Sequence, residues 1–254
     1  MSNSSNSCLI ITGMHRSNTS FLAKSFMDAG LHIGDDLIPP DQFNQEGHFE
    51  DQDFVSFHDR LIANYKLKSW YSVIDYKKCH SLKIQSEDLE TAKNMIQSRW
   101  TNRALFGWKD PRTCHFLPFW KELVPQAKFI FIVREPEASV SSLLRRYQKN
   151  KGDFFRPDLW YRYHRFWQVA NQQIIDFHVR HSHDSHILFT PENITDQEST
   201  LINDKLNEWQ IVLDKIKLVE CYRTELISSK DASSRINETS MKIYDRLWKI
   251  KRSD

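Results

Sequence analysis

The 254-residue chain has no apolar run long enough to span a bilayer, and its opening residues lack the charged and apolar regions of a cleavable leader. Residues 1–7 read instead as a short polar tail leading into a first strand. Cysteine is scarce: Cys8, Cys79, Cys114 and Cys221 are scattered, with no C-x-x-C spacing. That excludes a small disulfide scaffold and points to free thiols in a reducing compartment. A formal net charge of only +2 argues against a general nucleic-acid surface. No internal repeat or low-complexity segment is present. With 40% hydrophobic residues, the chain has enough apolar content for one domain with a substantial core.

What is present begins with Gly13-Met14-His15-Arg16-Ser17-Asn18-Thr19-Ser20, directly after the apolar run Leu9-Ile10-Ile11. The setting is the strand, loop and helix of a phosphate cradle, G-x-x-x-x-G-K-[ST]. Asn18 replaces the second glycine and Thr19 the lysine that serves triphosphate chemistry. The cation has moved to Arg16, and hydroxyls line the rest of the turn. Such a loop suits an anionic diester or phosphosulfate better than a Mg-triphosphate. Taken alone, it could also be an ordinary helix cap rich in serine and threonine.

A second segment, Phe129-Ile130-Phe131-Ile132-Val133-Arg134-Glu135-Pro136, reads as a buried strand running into a helix that starts near Pro136. Arg134 then lies at the strand's C-terminal end, and Ser142 about two turns into the helix. Strand ends at a switch point are where open parallel sheets bind ligands. A guanidinium there suits bidentate phosphate binding. Between these segments stands Leu105-Phe106-Gly107-Trp108-Lys109-Asp110-Pro111-Arg112, a short strand ending in a polar turn. Asp110 and Arg112 read as an ion pair stitching that turn. Upstream, Asn44-Gln45-Glu46-Gly47-His48-Phe49-Glu50-Asp51 is a turn before a helix whose apolar pattern runs Phe54, Val55, Phe57, His58, Leu61, Ile62.

In this order the segments resemble bacterial and carbohydrate-type sulfotransferases over residues 8 to about 195. The resemblance implies an α/β fold with a mainly parallel central sheet flanked by helices, a P-loop-kinase-like three-layer sandwich. It implies 3′-phosphoadenosine 5′-phosphosulfate (PAPS) as donor co-substrate, no metal, and transfer of the sulfuryl group to a hydroxyl or amine of a small-molecule or carbohydrate acceptor. Arg16, Ser17, Asn18, Thr19 and Ser20 would hold the 5′-phosphosulfate, and Arg134 with Ser142 the 3′-phosphate. Lys109 would meet the departing bridge oxygen. Aromatic-alcohol sulfotransferases place a catalytic histidine two positions after this lysine, where the chain has Pro111. The base is therefore sought in the N-x-x-G-[YH]-[FW]-E-[DN]-like turn: Glu50, with His48 as its rival. If the turn is already helical, the two side chains point to nearly opposite sides. If it is extended, they share a face. Golgi sulfotransferases carry an anchor and stem, and without either a cytoplasmic enzyme is expected. Two alternatives remain: a nucleotide kinase-like phosphotransferase, or a non-catalytic nucleotide-binding protein on the same fold.

Further helices are expected over residues 17–29, closed by Gly30, over 87–100, over 137–148 with a break at 150–153, and over 201–209. A long helix carries the stripe Trp160, Tyr163, Trp167, Ala170, Ile174 and Phe177, read as core, with Tyr161 and Arg165 off it. Ile187-Leu188-Phe189 reads as a strand, and Thr190-Pro191-Glu192-Asn193-Ile194 as the counterpart of a family strand-to-loop segment. An amphipathic stretch over 234–251 would pack on the sheet or on a second copy of the chain.

Overall fold

The structure is a computed structural model that describes residues 6–42, 44–67, 78–79, 81–101, 103–151, 156–190, 195–221 and 236–252. Four strands, β1 (Ser7–Thr12), β2 (Leu105–Lys109), β3 (Lys128–Val133) and β4 (Ser185–Phe189), form one sheet in the order β2-β1-β3-β4. Every neighbouring pair is parallel. The strands are nearly continuous apolar runs because both faces of the sheet are covered.

Side chains alternate between two cores. Cys8, Ile10, Phe106, Trp108, Phe129, Phe131, Ile187 and Phe189 face one side. They meet α2 (Gln52–Asn64), α3 (Ser86–Trp100), α4 (Leu117–Leu123), α5 (Pro136–Lys151), α6 (Pro157–Arg180) and α9 (Glu238–Lys251). Leu9, Ile11, Ile130, Ile132 and Leu188 face the other, against α1 (Thr19–Asp28), α7 (Asp196–Glu208) and α8 (Leu218–Cys221). This is the three-layer α/β arrangement expected from the sequence. No helix among the described residues is long and apolar enough to cross a membrane.

Several boundaries differ from the expectation, each for a local reason. Ser7 is not tail but the first residue of β1, paired with Leu105 and bonded through its N–H to Ala104 O (2.7 Å). Helix α1 starts at Thr19 rather than 17 because Arg16 and Asn18 have left-handed φ values of 68° and 65°. Its end is as expected: Gly30 at φ 94° lets its own N–H reach Met27 O and that of Leu31 reach Phe26 O. Helix α5 runs on through Asn150 to Lys151, so the expected break is absent there, and residues 152–153 lie outside the described residues. Residues 191–194 also lie outside them, which leaves only Thr190 of the strand-to-loop segment.

The aromatic stripe of α6 is core: Tyr163, Trp167, Ala170, Ile174 and Phe177 are buried, while Tyr161 and Arg165 are exposed. Helix α9 packs within the chain, burying Leu247 and stacking Trp248 on Phe189 at 4.0 Å.

Two buried histidines make the fold sensitive to acid. His115 bonds Gln173 through Nδ1 (3.3 Å) and lies tilted against Phe166, and burial above all pushes its pKa down to about 3. His164, between Ser240 and Glu137, is pushed by burial to about 4. Below an ordinary value near 6.5 the unfolded chain binds protons that the native imidazoles refuse. Stability should therefore fall as pH drops from about 6.5 toward 4. Denaturant midpoints measured across this window should show the loss. His115→Gln should lower stability at pH 7.5 yet make the acid slope shallower by about one proton. Parallel slopes would contradict the buried neutral state.

Candidate functional site

The chain leaves β1 for β2 on one side and returns to β3 on the other, so the C-terminal ends of β1 and β3 flank a switch point. Two loops meet there. Gly13 ends β1 where a Cβ would stand 2.3 Å from Ile132 O, so only glycine lets the two strand ends come this close. The loop then turns through Arg16 and Asn18, both left-handed. Apart from glycine, asparagine is the residue that adopts this conformation most readily. Asn18 thus supplies the backbone that the missing second glycine would have supplied.

Helix α1 begins immediately after, with no side-chain cap and no acidic residue in its first turn. Its first N–H groups and positive dipole end thus face the loop with no capping side chain among the described residues. Ser17 is buried at 1% exposure, and its hydroxyl has no hydrogen-bond partner among the described residues. A buried orphan hydroxyl beside an uncapped helix start is the chemistry of a cradle for an external anion.

The structure brings Arg16, Arg134 and Ser142 together. Arg134 NH1 donates to Arg16 O (3.2 Å), and Arg16 Nε donates to Ser142 Oγ (2.9 Å). Arg134 is fixed from behind, its carbonyl accepting from the Trp167 indole at 3.1 Å. Thr190 Oγ1 donates to Ser17 O (3.2 Å), tying the β4 end to the same loop. Thr19 is buried in the first turn of α1.

A second cluster lies on the β2 side. Lys109, 1% exposed, spends all three ammonium hydrogens within the protein: on Glu50 Oε1 (2.6 Å), His48 O (2.8 Å) and Ser20 Oγ (3.2 Å). Ser20 Oγ also accepts from Asn44 Nδ2 (2.9 Å) and donates to His48 O (3.2 Å). That hydroxyl is thereby committed to the crossing segment rather than left facing the cradle, as the sequence reading had it. The turn at 47–50 is neither helical nor plainly extended, since Phe49 is left-handed at φ 54° and α2 begins only at Gln52. His48 and Glu50 therefore diverge. The imidazole of His48 goes to Asp41 (3.2 Å), and Glu50 turns in to Lys109 and, at 3.4 Å, Arg112.

Behind this pair stands a buried network. Asp110 Oδ1 accepts from Arg112 N and NH1, both at 2.9 Å, and Oδ2 accepts from His58 Nδ1 at 2.7 Å. His58 Nε2 accepts from the Trp120 indole at 2.8 Å. An indole N–H only donates, so the imidazole proton must sit on Nδ1 and point at Asp110. Burial alone would raise the Asp110 pKa, but the Arg112 guanidinium and the His58 hydrogen bond outweigh it and hold the carboxyl well below its usual range. His15, half-buried against Phe166 (6.1 Å between rings), is kept neutral first by burial and then by the positive charge of Arg112.

The profile of the sulfotransferase family matches residues 9–196. The chain belongs to the sulfotransferase family. A comparison with curated protein sequences finds no match. Among solved structures, the protein resembles the sulfotransferase domain from the curacin biosynthetic pathway at TM-score 0.58 and 13% identity, covering 94% of this chain and 96% of that one. It also resembles a sulfotransferase from Mycobacterium avium at TM-score 0.59 and 12% identity, covering 98% and 77% respectively. One from Mycobacterium tuberculosis H37Rv gives 0.55 and 12%, covering 96% and 77%. At such identities the likeness is one of fold.

Sequence reasoning missed the far side of the Asp110–Arg112 pair. His58 stood in the apolar pattern of α2 and was counted with it, and the reach of Arg112 to Glu50 and Asp59 had no signal in spacing. Asp53, Asp35 and Asp51 around Arg99 were likewise not anticipated.

Backbone geometry in the loop can be tested through stability. Asn18→Gly should leave unfolding free energy within about 0.5 kcal/mol of the parent, whereas Asn18→Val should cost about 1–2 kcal/mol. Gly13→Ala should cost about 1–3 kcal/mol by forcing β1 and β3 apart. Equal losses for the two Asn18 variants would mean that the side chain, not the backbone, sets this position.

Proposed function

We propose that the protein transfers the sulfuryl group of PAPS to a hydroxyl, or to an amine, of a small-molecule or carbohydrate acceptor. The observation that carries this reading is the meeting of Arg16, Arg134 and Ser142 beside an uncapped helix start with a buried, unpartnered Ser17 hydroxyl. The donor would be written across that site as a substrate. Ser17, Arg16 and the first N–H groups of α1 would hold its 5′-phosphosulfate, with Arg134 and Ser142 on its 3′-phosphate.

Lys109 and Glu50 stand next to the cradle as a ready ion pair. In this reading Lys109 turns the hydrogen now on Ser20 toward the oxygen that bridges sulfur and phosphorus, where charge grows as the bond breaks. Glu50 takes the acceptor's proton. His48 serves through its carbonyl, which helps hold Lys109, and not through its ring. Sulfuryl transfer, like phosphoryl transfer, leaves the protein mostly positioning and electrostatics to supply.

The phosphotransferase alternative lacks its main residue, since Thr19 stands where the triphosphate lysine would be. The feature that favours the non-catalytic alternative is asparagine in place of glycine at position 18. Its left-handed backbone weakens that argument, because the loop keeps a conformation a glycine would also adopt.

Ligand-linked stabilisation tests the donor site. 3′-Phosphoadenosine 5′-phosphate should raise Tm well above the effect of 5′-AMP, and Arg134→Ala should erase most of the difference by removing a charge-assisted pair. Equal shifts for both nucleotides in the parent protein would overturn the assignment.

Turnover tests the base. With an acceptor found by screening labelled PAPS, Glu50→Gln should slow kcat by roughly 100-fold or more while nucleotide binding holds. His48→Asn should cost far less. The reverse ranking would make His48 the base.

A further inference from the structure

Glu50 is engaged at both carboxylate oxygens, and unequally. Oε1 lies 2.6 Å from Lys109 Nζ, a firm charge-assisted bond to a cation whose hydrogens are all in use. Oε2 has only Arg112 NH1, at 3.4 Å, among the described residues. Arg112 is prevented from closing on it. Its Nε is held by Asp59 Oδ1 at 2.7 Å, and NH1 by Asp110 Oδ1 at 2.9 Å. The guanidinium thus lends Glu50 its charge through one long bond and leaves Oε2 a further lone pair. A bidentate clamp, the usual geometry of arginine with a carboxylate, would have gripped both oxygens at short range.

We propose that Arg112 is the positioning residue for the base, and that Glu50 Oε2 is the atom that accepts the acceptor's proton. This rests on the reading of Glu50 as base. As the acceptor oxygen bonds to sulfur, its proton passes to Oε2. The S–O bond to the nucleotide breaks with its electron pair going to the phosphate oxygen, so the products are the sulfate ester and 3′-phosphoadenosine 5′-phosphate. The proton on Oε2 returns to solvent before the next cycle. Arg112 fixes where Oε2 points, and Asp59 fixes where Arg112 points.

The charged groups bonded to Glu50 are Lys109 of β2 and Arg112 of the turn that follows, and Asp110 of that turn and Asp59 of α2 reach it through Arg112. His15, on the cradle loop, lies within the field of Lys109 and Arg112. Changing Arg112 or Asp59 therefore alters the field at Oε2 in opposite directions. Loss of a cation beside a carboxylate raises the pH at which it ionises, and loss of an anion lowers it.

The test is the acid limb of the kcat/KM pH profile with PAPS and the screened acceptor. Arg112→Gln should move the limb up by about one pH unit, Arg112→Lys should return it toward the parent, and Asp59→Asn should move it down. The shift in Tm produced by 3′-phosphoadenosine 5′-phosphate should be the same in all. Limbs that stay at the parental pH in Arg112→Gln and Asp59→Asn, with Glu50→Gln still slow, overturn this proposal while leaving the base assignment standing. Parental turnover in Glu50→Gln overturns the base assignment first. If Arg112→Gln does not fold, Asp59→Asn carries the test, since Asp59 is 52% exposed and its replacement removes no core contact.

Discussion

The buried carboxylate of Asp110 is the constraint on which the rest of the site depends. It sits with no exposure at the end of β2, where an unpaired charge would be costly. It is accommodated because both oxygens are used: Oδ1 by two Arg112 nitrogens and Oδ2 by His58, whose tautomer Trp120 dictates. Its carbonyl accepts from Thr12 Oγ1 at 2.8 Å, so the ends of β1 and β2 are tied across the sheet. Removing any one member would strand another in the interior. From this anchor Arg112 is aimed outward to Glu50, while Lys109, one residue earlier, is aimed at the same carboxylate from β2 itself.

Glu50 is fixed from its backbone as well as from its side chain. The next residue, Asp51, is fully buried and caps α2 through Asp53 N (2.9 Å), while Oδ2 takes the Asp35 N–H and Arg99 NH2. Burial raises the Asp51 pKa, partly offset by the Arg99 charge. The long crossing between α1 and α2 is thus pinned at its end by one buried carboxylate and, through Glu50, leans on a second. A segment without regular structure holds a defined side-chain position because two charged networks grip adjacent residues.

Much of this was legible in the sequence, for reasons that differ by element. Apolar runs such as Phe129–Val133 and the three-and-four spacing of Trp160 to Phe177 report burial directly, so strands, the long helix and the layered sheet follow from them. The cradle was legible because backbone demands at Gly13 and Asn18 restrict residue type. Arg134 and Ser142 could be placed because a strand end and the second turn of its helix lie close together in any such unit. What could not be read was direction. Nothing in the spacing of Arg112 says that it reaches Asp59 and Glu50 more than fifty residues upstream, and nothing in Ser20 says that its hydroxyl serves the crossing instead of the cradle. Left-handed Phe49, which separates His48 from Glu50, is also invisible, because phenylalanine gives no sign of that conformation.

The two clusters differ in how their cations are held. On the β3 side Arg16 bonds Ser142 and Arg134 bonds the Arg16 carbonyl, beside a helix start without a side-chain cap and the buried Ser17 hydroxyl. On the β2 side Lys109 and Arg112 are already neutralised by Glu50, Asp110 and Asp59. In the proposed reaction the arginines of the cradle would meet the donor's charge in the ground state, and the β2 cations, held by bonds within the protein, would meet charge that grows during transfer. The proposed function would thus divide binding and chemistry between different strands of one sheet, with Ser17 just before α1 and Ser20 in its first turn on either side of the boundary.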